Sequence, residues 1–226
     1  MNAMSDVEKN LQDVNHRIKI AAERVNRDYN DITLIAVTKT FDSSLMKEVI
    51  ILGIKNVGET KVQEAKRKQK ELGALSNKIK WHMIGHLQSN KVKDAVKIFD
   101  VIHSIDRLKI AKKISDKCIE LKKIMPILVQ INLTDDKFGI KPEEALEFIN
   151  EVKKFDGIKV EGLMTIAPYV EPEKTRPYFK KLKELTLICK LKYLSMGMSN
   201  DFEVAIEEGS TMVRVGTAIF GERKNG

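Results

Sequence analysis

The sequence predicts an α/β fold: a single-domain (β/α)8 barrel of the TIM type with an extra N-terminal helix. Three observations carry this. Short apolar, β-branched runs alternate with amphipathic stretches until eight strands are counted, the pattern of a parallel sheet covered by helices. No Pro-, Gly- or Ser-rich linker divides the chain, so residues 1–226 read as one domain. The runner-up, a doubly wound open sheet, lacks the G-x-G-x-x-G fingerprint after its first strand.

Taken in order, residues 6–27 place Val7, Leu11, Val14, Ile18, Ala21 and Ala22 on one helical face. ITLIAVT (32–38) is a buried-type strand, and SSLMKEVIILG (43–53) a helix with Gly53 as its stop. NVGE (56–59) is a short strand, and residues 60–73 are a helix closed by Gly73. The series continues with strands at 81–85, 101–105, 126–133, 158–165 and 193–197. The helices between them fall at 89–99, 106–124, 141–155, 173–190 and 200–209. STMVRVG (210–216) is the closing strand. In the helix at 200–209, Asn200 and Glu203 have the spacing of a capping box.

Hydrophobic content of 42% with 32% charged residues is that of an ordinary globular chain. No apolar run approaches the roughly 20 residues a membrane span needs, and the N-terminus lacks a signal-peptide core, so a cytoplasmic location is expected. Met1 and Met4 are set aside as the mark of a cloning scar. Cys118 and Cys189 read as reduced thiols. The net charge of +8 arises from lysines interspersed with acids on helices, which reads as a solvated face. The densest basic patch, Lys61–Lys70, has no interleaved aromatic, so nucleic-acid binding is not expected. His82 and His86 have i, i+4 spacing, but on a strand-to-loop segment that fixes no common face, and no metal site is expected.

In a barrel, chemistry gathers where strands end at their C-terminal side. Lys39 stands there after the first strand, in LIAVTKTF. A lysine in a partly apolar mouth loses part of its preference for the charged form, and a neutral amine attacks carbonyls. The plainer reading is a lysine snorkelling from a strand end. Ser199 stands just before the helix at 200–209, and Arg214-Val215-Gly216-Thr217 lies where the last strand ends. Hydroxyls and approachable backbone N–H groups in the last two loops suit a phosphate. His86 is placed to line the pocket, whereas His82, His103 and His16 read as packing or surface residues.

Beyond periodicity, six blocks resemble one family. They are AVTKT around Lys39, NVGETKVQEA (56–65), WHMIGHLQSNK (81–91), IHSID (102–106), GLMTIAP (162–168) and LSMGMSNDFEVAIEEGSTMVRVGTAIFGER (194–223). Together they resemble the pyridoxal-phosphate homeostasis proteins, single-domain relatives of the alanine racemase N-terminal domain. The resemblance implies pyridoxal 5′-phosphate (PLP) held as an aldimine on Lys39 and a part in intracellular vitamin B6 homeostasis, without established turnover. It places Ser199, Gly216 and Thr217 at the phosphate, Met198 beside them and Arg214 facing the pyridine nitrogen. It also puts Asn56 near the ring and His86 at the pocket edge. It implies a monomer that meets apo-enzymes only transiently and binds neither nucleic acid nor membrane.

Three stretches depart from the family pattern, all at the pocket rim: Phe41-Asp42, Thr60 where asparagine is usual, and NLTDDKFGI after the fifth strand. An arginine at the ring nitrogen only donates hydrogen bonds, so it favours the unprotonated ring and weakens its pull on electrons. Tyr29, Tyr169, Tyr178 and Tyr193 offer no evident second base. The alternative reading is therefore a weak PLP-dependent amino-acid racemase.

Overall fold

The computed structural model describes residues 4–134 and 137–222. The N-terminal residues 1–3, residues 135–136 of the loop after the fifth strand and residues 223–226 lie outside the described residues. Eight parallel strands form a closed barrel in sequential order: β1 (Thr33–Val37), β2 (Asn56–Glu59), β3 (Lys80–Met83), β4 (Val101–Ile105), β5 (Met125–Gln130), β6 (Ile158–Met164), β7 (Tyr193–Met198) and β8 (Met212–Val215). Closure is made by β1 on β8, with Ile35 opposite Arg214 and Ala36 opposite Val215. The predicted fold class is the observed one.

The N-terminal helix α1 (Asp6–Glu23) buries the six apolar residues that its sequence places on one face. The Ser5 hydroxyl caps it by accepting from Glu8 N–H. The outer layer then runs α2 (Ser43–Ile51), α3 (Val62–Leu72), α4 (Val92–Ile98), α5 (Leu108–Glu120), α6 (Ala145–Val152), α7 (Pro172–Ile188), α8 (Phe202–Glu207) and α9 (Thr217–Phe220). Helices expected to begin at 89 and 141 open instead with one tighter 3-10 turn, Ser89–Lys91 and Pro142–Glu144. Among the described residues, no helix is long and apolar enough to cross a membrane.

The expected capping box at Asn200 does not form. Asp201 is the N-cap of α8, and Asn200 Nδ2 donates to the Val170 carbonyl. Glu203 turns away to accept from Arg17 Nε at 2.7 Å. A charged partner on α1 wins over the local bond, and the Arg17 guanidinium also lies over the Phe202 ring.

Most of the core lies between barrel and helices. Ile35, Leu128, Met164 and Met212 form a separate cluster. They come from β1, β5, β6 and β8, so they meet across the barrel interior. The interior also holds the buried polar side chains described below, an unusual filling for a barrel of this kind.

Candidate functional site

Lys39 lies two residues past β1, half-buried, on a turn gripped from both sides. On one side, Lys68 Nζ donates to the Thr38 carbonyl at 2.6 Å, and the Thr38 hydroxyl donates to Glu59 Oε1 at 2.5 Å. On the other, the Thr40 N–H donates to Glu64 Oε1 at 2.6 Å. Thr40 takes a left-handed φ of 69°, a strained conformation for a β-branched residue. Lys68 also donates to Glu59 at 2.7 Å and to Glu64 at 2.8 Å.

Lys68 and Glu59 are fully buried, so one lysine of the basic patch read as solvated is instead an internal counter-ion. Burial raises the Glu59 carboxyl above its ordinary range, against the pull of Lys68. Burial also pushes Glu64 upward, but its bonds from Lys68 and the Thr40 N–H outweigh this and lower it. A signal for Lys68 existed in the sequence: it falls on the Val62, Ala65, Leu72 stripe of α3.

The ends of β7 and β8 adjoin the Lys39 turn. Gly197 has φ +91°, and a Cβ there would lie 2.6 Å from that of Ala205. Glycine alone allows this close approach of α8. The register of β7 on β8 shifts between Ser195 and Met198, an irregularity that re-aims the Met198–Ser199 turn. Asp201 Oδ1 fixes that turn by accepting from Met198 N–H at 2.6 Å. Ser199 Oγ then accepts from the N–H groups of Gly216, at 3.1 Å, and Ala218, at 3.2 Å. Thr217 is exposed beside them at the start of α9. The Ser199 and Thr217 hydroxyls and the Gly216 and Ala218 N–H groups thus meet at the turns that follow β7 and β8, with Ser199 Oγ as the internal acceptor of both N–H groups. Donor groups of this kind suit a phosphate-sized anion that takes the place of that acceptor.

Arg214, on β8, is 4% exposed. Its Nη1 donates to Ser195 Oγ at 2.7 Å and its Nη2 to the Thr165 carbonyl at 2.8 Å. Burial lowers the guanidinium to about 10, and Asp201 opposes the shift, so it remains charged at neutral pH.

The structure thus places Met198 and Arg214 on β7 and β8, and Lys39, Ser199, Gly216 and Thr217 just beyond the C-terminal ends of the adjacent strands β1, β7 and β8. His86 lies beyond β3 at the same end. Its Nε2 accepts from Arg107 Nη2 at 2.8 Å, and its ring stacks on Phe138 with centroids 4.1 Å apart. Burial lowers this imidazole, and Asp106 opposes the shift. Asn56 stands apart from the group: it is the first residue of β2, at the opposite end of the barrel. Phe41, unusual in sequence, packs on Phe220 with centroids 4.8 Å apart. It braces the Lys39 turn against α9.

His82 and His103, read from sequence as packing or surface residues, are packed inside, but their link to one another and to Ser195, which the sequence reading did not single out, was not foreseen. All three are buried in the barrel interior. His82 Nδ1 lies 2.9 Å from His103 Nε2, and His103 Nδ1 lies 2.9 Å from Ser195 Oγ. The available signal was polar residues within strands that otherwise read as apolar. Cys118 and Cys189 are buried free thiols. Among the described residues no group of three or more His, Cys, Asp or Glu side chains could hold a metal ion.

Residues 10–224 match the family model of the alanine racemase N-terminal domain. A pyridoxal phosphate homeostasis protein of Aquifex aeolicus is 41% identical over 99% of this chain and 100% of its own length. The structure of PipY from Synechococcus elongatus, solved with PLP bound, superposes with a TM-score of 0.82 at 33% identity, covering 92% of this chain and 100% of that one. Alanine racemase of Clostridium difficile shares the fold, with a TM-score of 0.73 at 19% identity over 97% of this chain and 57% of the racemase.

Proposed function

Because this chain belongs to the pyridoxal phosphate homeostasis proteins, within the alanine racemase N-terminal domain family, we propose that it binds pyridoxal 5′-phosphate covalently through Lys39 and serves intracellular vitamin B6 homeostasis without catalytic turnover. The observation that carries this reading is the convergence, at one end of adjacent strands, of the Lys39 turn, the Ser199 hydroxyl bonded to the Gly216 N–H, and the buried Arg214. The donor set fits the cofactor: hydroxyl and N–H groups for its phosphate, a fixed guanidinium for its ring nitrogen and an amine for its aldehyde. When bound, the cofactor supplies an aldehyde that condenses reversibly with an amine and releases water.

In this reading Lys39 Nζ is the amine, and the bonds on Thr38 and Thr40 fix where it starts. Ser199, Gly216 and Thr217 hold the phosphate, with Met198 beside them, and His86 closes the pocket edge. Arg214 offers the ring nitrogen only donors, which keeps that nitrogen unprotonated. Reaction at an amino acid's Cα would then be weakly assisted, which favours storage over turnover. The chain acts as a cytoplasmic monomer that releases its cofactor to apo-enzymes.

Borohydride reduction of the loaded protein followed by peptide mass mapping tests the assignment. The adduct is expected on the peptide carrying Lys39, and Lys39→Ala should lose the visible absorbance band; an unchanged band rejects the site. The second reading, weak amino-acid racemisation, is favoured by the shared racemase fold. Single-enantiomer amino acids incubated with the loaded protein in deuterated water separate the two, since solvent deuterium at Cα over many turnovers would overturn the storage role.

A further inference from the structure

A chain of side-chain hydrogen bonds crosses the barrel interior. It runs from Arg214 to Ser195 (2.7 Å), on to His103 (2.9 Å), then His82 (2.9 Å), and ends on Asn56 Oδ1, 3.1 Å from His82 Nε2. It spans β8, β7, β4, β3 and β2. Ser195 and His103 are fully buried, and His82 is 2% exposed. Polar groups buried this deeply are costly unless each is paired, and every member of this chain has partners on both sides or ends on one.

The chemistry of the two ends fixes the direction of every bond. Arg214 has no acceptor, so Nη1 donates to Ser195 Oγ. Among the described residues His103 Nδ1 is the one acceptor beside Ser195 Oγ, so the single Ser195 hydrogen goes there. Burial, with His82 and Arg214 adding to it, lowers the His103 imidazole well below its ordinary value, and burial and Lys80 lower His82 to about 3. Both rings are therefore neutral. With Nδ1 accepting, His103 carries its hydrogen on Nε2 and donates to His82 Nδ1. His82 in turn carries its hydrogen on Nε2 and donates to a carbonyl oxygen, and Asn56 Oδ1 is the atom found there. The donor end and the acceptor end impose the same tautomers.

We propose that Asn56, His82, His103 and Ser195 are positioning residues that hold the Arg214 guanidinium in one orientation through a one-way hydrogen-bond chain, and so set the donor presented to the cofactor's ring nitrogen. The last step rests on the function proposed above; the chain and its tautomers do not. Nη2 is held by the Thr165 carbonyl, so a guanidinium with both arms engaged cannot swing without breaking a bond. This also gives Asn56 a part in the site from the far end of the barrel: it terminates the chain that starts at Arg214.

Nitrogen-15 NMR of the cofactor-free protein tests the chain directly. Both histidines should show Nδ1 unprotonated and Nε2 protonated at neutral pH; a charged ring, or the opposite tautomer in either, overturns the proposal. The cofactor-loaded protein tests the positioning role. His103→Leu, which cannot bond to Ser195, should shift the visible band while Lys39 still binds cofactor. His103→Gln, whose amide offers one acceptor and one donor, should restore the band. A His103→Leu spectrum identical to the parent's overturns the role even if the tautomers are as derived. If His103→Leu does not fold, Ser195→Ala replaces it, with the same expected shift and the same overturning result. A parent protein with no Lys39-dependent band would reject the cofactor assignment and leave the tautomer result standing.

Discussion

Lys68 Nζ sits 2.6 Å from the carbonyl oxygen of Thr38, so a buried ammonium on α3 grips the backbone immediately before Lys39. The same ammonium bonds the buried Glu59 at 2.7 Å and the partly exposed Glu64 at 2.8 Å. Glu59 Oε2 is buried without a hydrogen-bond partner among the described residues. The cluster therefore links α3, β2 and the lysine turn through one cation.

Removing that cation should be severe. Lys68→Met leaves the Glu59 carboxylate buried without its counter-charge, and a loss of about 3 kcal/mol in denaturant unfolding is expected. The double variant Lys68→Met with Glu59→Gln removes the unpaired charge and should recover most of the loss. If the double variant is as unstable as the sum of its parts, the two side chains are not coupled.

Thr40 should prove to be a strained position. Its φ of 69° belongs to a region that costs an L-residue roughly 1–2 kcal/mol, which asparagine tolerates better. Its side chain is exposed and its N–H bond to Glu64 survives substitution. Thr40→Asn should therefore raise stability by about 1 kcal/mol, read as a higher denaturant midpoint. An unchanged or lower midpoint would show that the turn stores no strain.

The barrel was legible because alternation is local: each strand and helix carries its own period, and eight such units without the glycine fingerprint of an open sheet point to the closed order that is observed. Lys39, Ser199, Arg214, Gly216 and Thr217 were legible because strand ends in a barrel share one mouth. What sequence could not give is depth. Asn56 and Glu59 lie in the same short strand, yet one ends an interior chain and the other faces α3. His103 and Ser195 are 92 residues apart and meet only when the barrel closes. Lys68 lies in a run of basic residues that masks its place on the buried stripe of α3. The capping box at Asn200 failed for a related reason: Arg17, far off in sequence, drew Glu203 away.

Acid should loosen the barrel from within. His82 is lowered to about 3 and His103 well below the ordinary imidazole value of 6.5. The unfolded chain therefore binds more protons than the folded one below about 6.5, and stability is lost as pH falls from there toward the folded values. Each histidine contributes roughly 1.4 kcal/mol per pH unit once the unfolded form is protonated. Glu59 and Asp201, both raised by burial, act in the opposite sense as pH falls through their folded values. Urea midpoints at pH 7 and pH 5 measure the net slope. His103→Gln should flatten it, and an equal slope in that variant would mean the interior histidines do not govern acid sensitivity.

The candidate anion site can be separated from the fold by two substitutions that act differently. A Cβ on Gly216 would meet its nearest atom, the Val37 carbonyl oxygen, at 3.4 Å, an ordinary contact, and its φ of −118° with ψ of −78° lies at the edge of the right-handed region and outside the left-handed one that favours glycine. Gly216→Ala should therefore fold with a melting temperature close to the parent's, and a loss of PLP affinity beyond that small change then reports on the anion site. Ser199→Ala instead removes the oxygen that accepts from Gly216 and Ala218 N–H. Two donors then lose their internal partner, at a cost of about 1 kcal/mol in the cofactor-free protein. Added PLP should recover more stability in Ser199→Ala if its phosphate takes over those donors, and less if the hydroxyl itself is a needed phosphate ligand. Thermal melts with and without cofactor distinguish these outcomes. Equal cofactor stabilisation in parent, Gly216→Ala and Ser199→Ala would place the phosphate elsewhere.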